Sequence, residues 1–308
     1  MTVDHRGGDR AGGRQAGGQR AGGRQAVSVM GILNITPDSF SDGGLHQGVD
    51  RALRRALTMA SEGAAVIDVG GESTRPGAAA VDPVSETARV LPVIEAMAGH
   101  PELSGVRISV DTRNESTARA AVAAGATLIN DVSASLWPVA AETGVGWVAM
   151  HMSGDPRTMQ REPSYDDVVS EVREFLVERA TTAERAGVPE IWVDPGIGFG
   201  KTTEHNLALL RNIDTLAAEG FPVLVGTSRK RFLGELTALS DRSGGLPQGA
   251  EATTDVHDRI EGSLVSALWA IIGGARAIRA HDVGATVVAT ETLFRGGRQG
   301  PSGHLRAP

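Results

Sequence analysis

The stretch Met30–Gly44, MGILNITPDSFSDGG, decides how this chain folds. Met30 to Leu33 form an apolar run that stops at Asn34, and the rest is turn chemistry: Pro37, Asp38, Ser39, Ser41 and a Gly pair with neither helical nor strand period. A strand that is apolar along its length has both faces covered, and one that ends in polar residues opens on something wet at its tip. The same unit returns seven more times. Strand-like runs at Val27–Leu33, Ala65–Val69, Arg107–Val110, Thr127–Ile129, Gly146–Met150, Glu190–Val193, Pro222–Val225 and Arg276–Ile278 each lead into a polar tip. In order the tips are Asn34; GGESTRPG from Gly70; Asp111; NDVSAS from Asn130; HMSG from His151; DPGIGFGK from Asp194; GTSRKRF from Gly226; and RAH, Arg279–His281.

Between the runs lie amphipathic segments such as Val49–Glu62, Pro83–Ala98, Glu115–Ala124, Asp166–Ala186, Thr203–Ala218 and Ile260–Gly273. Apolar strands alternating with helices predict a parallel sheet covered by helices. Eight such units point to a (β/α)8 TIM barrel of the α/β class over residues 27–296, with a doubly wound open sheet as the rival. Ser240–Asp258, rich in Gly, Asp, Ser and Thr, reads as an elaborated loop. Residues 1–26 stand apart: AGGRQ-AGGQR-AGGRQ (Ala11–Gln25) has nothing to form a core and predicts a disordered tail,. Residues 297–308 read as a second, C-terminal tail.

Composition narrows the function classes. The 308 residues contain no Cys, which excludes thiolate metal sites and a Cys nucleophile and suits a cytoplasmic protein,. No run approaches the roughly 20 apolar residues of a membrane span. Outside the tail, 25 basic residues face 35 acidic ones, which argues against nucleic acid as the main partner,. An anionic small molecule must then be met by a local basic cluster. In a barrel the C-terminal strand ends share one mouth, which would gather Asn34, Asp111, Asn130, Asp194, Lys230, Arg279 and His281. Asp111, Asn130, Asp194 and Lys230 mix donors and acceptors, as a flat heterocycle with a guanidine-like edge requires. Arg75, Ser228, Arg229, Arg279 and His281 form a donor-rich, cationic group suited to a diphosphate. Asn34 offers a neutral oxygen for Mg2+ on that diphosphate. GIGFGK lacks the spacing of a phosphate-binding loop.

MGILNITPDSFSDGG, GGESTRPGA, SVDT, INDVSA, MHMSGDPRTMQ, DPGIGFGKTTEHNLALL, TSRK, RIEGSL and RAHDV, in this order, resemble dihydropteroate synthase from Val27 to about Leu293. The resemblance implies a transferase of folate synthesis that joins 4-aminobenzoate to 6-hydroxymethyl-7,8-dihydropterin diphosphate. It implies Asp111, Asn130, Asp194 and Lys230 around the pterin, with Met152 packing nearby. Asn34 with Mg2+, Thr74, Arg75, Arg279 and His281 would meet the diphosphate. Thr74, Pro76, Phe199, Ser228 and Lys230 would surround the aminobenzoate, and Asp38 and the Arg75 loop would cover the site. Asp111, Lys230, Arg279 and His281 are the expected catalytic residues. A homodimer and sulfonamide inhibition complete the expectation.

Three other readings compete. An inactive pterin-binding paralogue should have lost STRPG or SRK, and both are present. A methyltetrahydrofolate-dependent methyltransferase has no use for the Arg75, Arg279 and His281 group. An RNA-binding barrel is suggested only by the Gly/Arg tail.

Overall fold

The computed structural model describes residues 27–35, 44–72, 81–154, 158–243 and 253–296. Eight strands run parallel: β1 (Ser28–Asn34), β2 (Val66–Gly70), β3 (Arg107–Asp111), β4 (Leu128–Asp131), β5 (Gly146–Met150), β6 (Ile191–Asp194), β7 (Leu224–Val225) and β8 (Ala277–Ala280). Their order, β6-β5-β4-β3-β2-β1-β8-β7, is that of a barrel opened at one seam. The seam is closed by a bridge between Val193 and Val223, where Val193 N–H donates to Pro222 O at 3.0 Å. The architecture is a (β/α)8 barrel, and no described helix is long and apolar enough to cross a membrane.

Around the strands run α1 (Gly44–Ser61), α2 (Pro83–Ala98), α3 (Glu115–Ala123), α4 (Trp137–Thr143), α5 (Val168–Arg185), α6 (Thr203–Arg211), α7 (Ile213–Ala217), α8 (Arg231–Ser243), α9 (Ile260–Ile272) and α10 (Val283–Gly296). Their starts are chemically marked. Asp82 accepts from Ser85 N–H ahead of α2, Asp167 caps α5, and Thr202 and His205 cap α6 reciprocally,. The segment expected over Thr203–Ala218 divides at Asn212, and the loop expected from Ser240 begins later because α8 continues to Ser243.

Strand parity assigns the two faces. Ile67, Val69, Ile108, Val110, Ile129, Trp147, Val193 and Ile278 point outward and pack with Met59, Val90, Ile94, Leu176 and Leu210 of the helices in the main core. Met30, Val66, Leu128, Val148, Leu224 and Ala277, with Trp192 beside them, plug the barrel interior as a second apolar cluster. Two residues further along these strands, inward parity gives Asp68, Asn130, Asp194 and Arg279, joined on β3 by Ser109 and Asp111. The polar site therefore sits on an apolar floor.

Candidate active site at the barrel mouth

An open cavity of about 710 Å³ lies over the C-terminal strand ends, lined by Asn34, Asp111, Phe199, Ser228, Lys230, Arg279 and His281 among others. These seven are sequence-expected residues brought to one wall. Asn130 and Asp194 are buried behind that wall, and Met152 is half-buried without lining the cavity. Asp38, Thr74, Arg75 and Pro76 lie outside the described residues.

The centre is a chain of charge. Arg279 of β8 donates through Nε to Asp68 Oδ2 and through Nη2 to Asp111 Oδ2, both at 2.7 Å. Asn130 Nδ2 donates to the same Asp68 oxygen at 2.8 Å. Burial pushes the Asp111 carboxyl up to about 7; Arg279 pulls it down, while Asp68, Glu86 and Glu72 add like charge. Burial also raises Asp194, against the attraction of Lys230. Arg279 itself lies above its ordinary range: burial opposes this, but Asp68 and Asp111 prevail.

Lys230, in the turn between β7 and α8, donates to Ile197 O and stands 4.3 Å over the Phe199 ring. Burial lowers its ammonium to about 8, with Asp194 opposing. Ser228 Oγ lies 3.0 Å from His281 Nδ1 and accepts from the His281 backbone N–H at 3.1 Å, tying β7's tip to β8's. Arg229 also lines the cavity, and its guanidinium is held by both oxygens of Asp282, at 3.0 and 2.6 Å.

Two groups were not foreseen. Asp68 is wholly buried at the hub of the Arg279 and Asn130 contacts; the sequence offered only a lone acidic residue inside the apolar run VIDVG. Lys201 is buried and donates to His151 Nδ1 at 2.9 Å and to Gly196 O and Phe199 O at 3.0 Å each. Burial and Lys230 lower Lys201 to about 7, and burial with Lys201 lowers His151 to about 3, so His151 is neutral and accepts.

Chemically, the mouth offers paired acceptors and an ammonium for a polar ring, beside guanidinium, imidazole and hydroxyl for an anion. Among the described residues no group of three or more His, Cys, Asp or Glu could hold a metal ion. Asn34 Oδ1 and Asp111 Oδ2 both lie 3.6 Å from where a Cβ on Gly70 would stand, so that glycine keeps open a space edged by two hard oxygens.

The family profile described as "Pterin binding enzyme" matches residues 30–281. Dihydropteroate synthase of Mycobacterium leprae is 44% identical over 279 residues, 87% of this chain and 92% of that protein. Among solved structures, Xanthomonas albilineans dihydropteroate synthase with 4-aminobenzoic acid superposes with a TM-score of 0.78 at 44% identity, covering 90% of this chain and 95% of that one. The same enzyme in complex with 7,8-dihydropteroate gives a TM-score of 0.75 at 41% identity, over 89% and 95% of the two chains. Sequence, barrel and mouth agree, and the chain belongs to the dihydropteroate synthases of the pterin-binding enzyme family.

Proposed function

We propose that this chain condenses (7,8-dihydropterin-6-yl)methyl diphosphate with 4-aminobenzoate to 7,8-dihydropteroate and diphosphate, as a transferase of folate synthesis. One observation carries the reading: Asp111 and Lys230 of the ring-reading group line the same cavity as Arg279, His281 and Ser228 of the anion-meeting group, and Arg279 is bonded to Asp111. A methyltransferase needs only the first group. Relatives whose structures hold 4-aminobenzoate or dihydropteroate support the substrates.

In this reading Asp111, Asn130, Asp194 and Lys230 hold the pterin, with Met152 beside it. Phe199, Ser228 and Lys230 flank the aminobenzoate, with Thr74 and Pro76. Arg279 and His281, with Thr74 and Arg75, take the diphosphate. The C–O bond to diphosphate breaks first, and the electron-rich pterin carries the resulting methylene cation near the Asp111 carboxylate. Fixed charges aimed at developing charge are the main catalytic resource here, and holding the two substrates together supplies the rest. The aromatic amine then attacks with its neutral nitrogen, forming the C–N bond and releasing a proton. Accumulation of product only by simultaneous attack, with no bond cleavage ahead of it, would overturn this order.

Asn34 Oδ1 beside Gly70 fits Mg2+, which prefers hard oxygen ligands and takes few from protein,. Asn34 would hold it, and bound there it would neutralise diphosphate charge. Asp38 and the Arg75 segment are the proposed covers, and the cytoplasm the proposed compartment. A homodimer is proposed on the exposed apolar faces of α9 and α10. Sulfonamides, as aminobenzoate mimics, are the proposed inhibitors; a Yersinia pestis relative is described with a sulfonamide drug complex. The direct test is coupled diphosphate release with the pterin diphosphate, Mg2+ and 4-aminobenzoate. Folded protein without aminobenzoate-dependent turnover refutes the proposal.

A further inference from the structure

Asp68 takes no part in the reaction outlined above, yet it is wholly buried on β2 and is the hub of the site. Its Oδ2 accepts from Arg279 Nε at 2.7 Å and from Asn130 Nδ2 at 2.8 Å. Three buried polar atoms on adjacent strands have no partner among the described residues: Asp68 Oδ1, Ser109 Oγ and Asn130 Oδ1. Asp68 is level with Ser109, and Asn130 with Asp111 two residues further along β3, so the three atoms span two successive steps of one inward-facing polar tier, joined by the Asn130–Asp68 bond. A buried acceptor left without a donor costs about 1–3 kcal/mol. A tier holding two such acceptors is built for a ligand that brings donors.

We propose that Asp68 is a positioning residue that sets the donor–acceptor polarity of the pterin pocket and ties that pocket to the diphosphate end. The inference rests on the synthase reading and deepens it. A carboxylate has no proton to give, so only the NH2 of Asn130 can face Asp68. Oδ1 of Asn130 is thereby left as the acceptor still open to a donor from the ligand. The same Asp68 oxygen holds Arg279 by Nε and fixes the guanidinium plane, from which Nη2 reaches Asp111 at 2.7 Å. One carboxylate oxygen thus aligns a group from each half of the site. A pocket built this way selects a ring that presents N–H groups, because an isostere presenting acceptors leaves buried acceptors facing each other.

Asp68→Asn keeps the side-chain shape and one acceptor oxygen while removing the charge and the bar to a flipped Asn130. Calorimetry with 6-hydroxymethylpterin and 6-hydroxymethyllumazine, the same ring with a carbonyl replacing the 2-amino donor, reads polarity without requiring turnover. The expected result is about a tenfold loss of pterin affinity and a smaller loss for lumazine, so the preference narrows. In steady-state assays KM for the pterin diphosphate rises while KM for aminobenzoate stays within twofold. Asp68→Ser, smaller and neutral, is the second variant and should narrow the preference likewise.

Unchanged pterin preference in both variants, or an equal loss for both rings and both substrates, overturns the proposal. Parent protein that binds pterin but makes no product refutes the synthase reading, while the Asp68 comparison still stands on binding.

Discussion

The two charges that face each other across the mouth have been moved toward one another in pH. Asp111 sits near 7, so its carboxylate forms above that value; Lys230 sits near 8, so its ammonium is lost above that one. The productive pair exists chiefly between them, and kcat/KM for the pterin diphosphate should be bell-shaped with limbs near 7 and 8. Asp194, also raised, adds to the acid limb. Lys230→Arg stays charged through the range and should abolish the alkaline fall even at lower turnover; a persisting alkaline limb assigns it elsewhere. Asn34 makes a simpler case. Its side chain is exposed at the end of β1 and supports no core packing. Asn34→Ala should therefore raise KM for the pterin diphosphate about tenfold, roughly 1.4 kcal/mol, with an unchanged melting temperature. A fall in melting temperature without a KM change would make Asn34 a structural residue. Residue types at strand tips were legible because polarity there interrupts an apolar run. Asp68 was hidden because a single charge inside VIDVG has no periodic partner in sequence; only its register with Ser109 and its reach to Arg279 give it meaning.

The loop after β6 shows what an element needs beyond residue types. Five consecutive carbonyls, Gly196 to Gly200, each accept from a side chain: Lys201, Lys230, Gln160, Lys201 again and Tyr165. This stitching presents Phe199 and Lys230 to the cavity. What Gly196 approaches is backbone. A Cβ there would stand 1.8 Å from His151 O, at φ +65°. Gly187, at φ +87° with nothing within 4 Å, is the control. Gly187→Ala should cost only the left-handed backbone penalty of about 1–2 kcal/mol. Gly196→Ala adds a backbone collision, so its melting temperature should fall further and activity should be lost with it. Equal losses in calorimetric unfolding would show that β5 and β6 are not locked at this point. The eight strands were readable because each is a short apolar run between polar segments. Barrel closure was harder to read: β7 is two residues long, and the seam depends on the Val193–Pro222 bond, which no local pattern marks. The break at Asn212 escaped for a similar reason, since apolar spacing continues across it from Leu210 to Ile213 and Leu216.

Across the whole molecule, the site faces one end of the barrel while apolar surface is exposed on its side. Val265 and Ile272, two turns apart on α9, are 65% and 71% exposed, and Val288 on the neighbouring α10 is 66% exposed. Scattered apolar residues need no explanation, but two on one face of α9 with a third on α10 supply the residue types of an interface core. A two-fold dimer would set the same patch against itself, leaving both mouths open to substrate. Val265→Glu with Ile272→Glu places charge at that contact. Sedimentation should show a dimer for the parent and a monomer for the variant, with the helical circular dichroism retained because both side chains already face solvent in the single chain. The polar tier at the mouth is completed within one chain by contacts among β2, β3, β4 and β8, so the monomer should keep pterin affinity within a fewfold. A parent that sediments as a monomer removes the dimer from the proposal; a monomeric variant that loses pterin binding would mean that the partner supports the mouth after all.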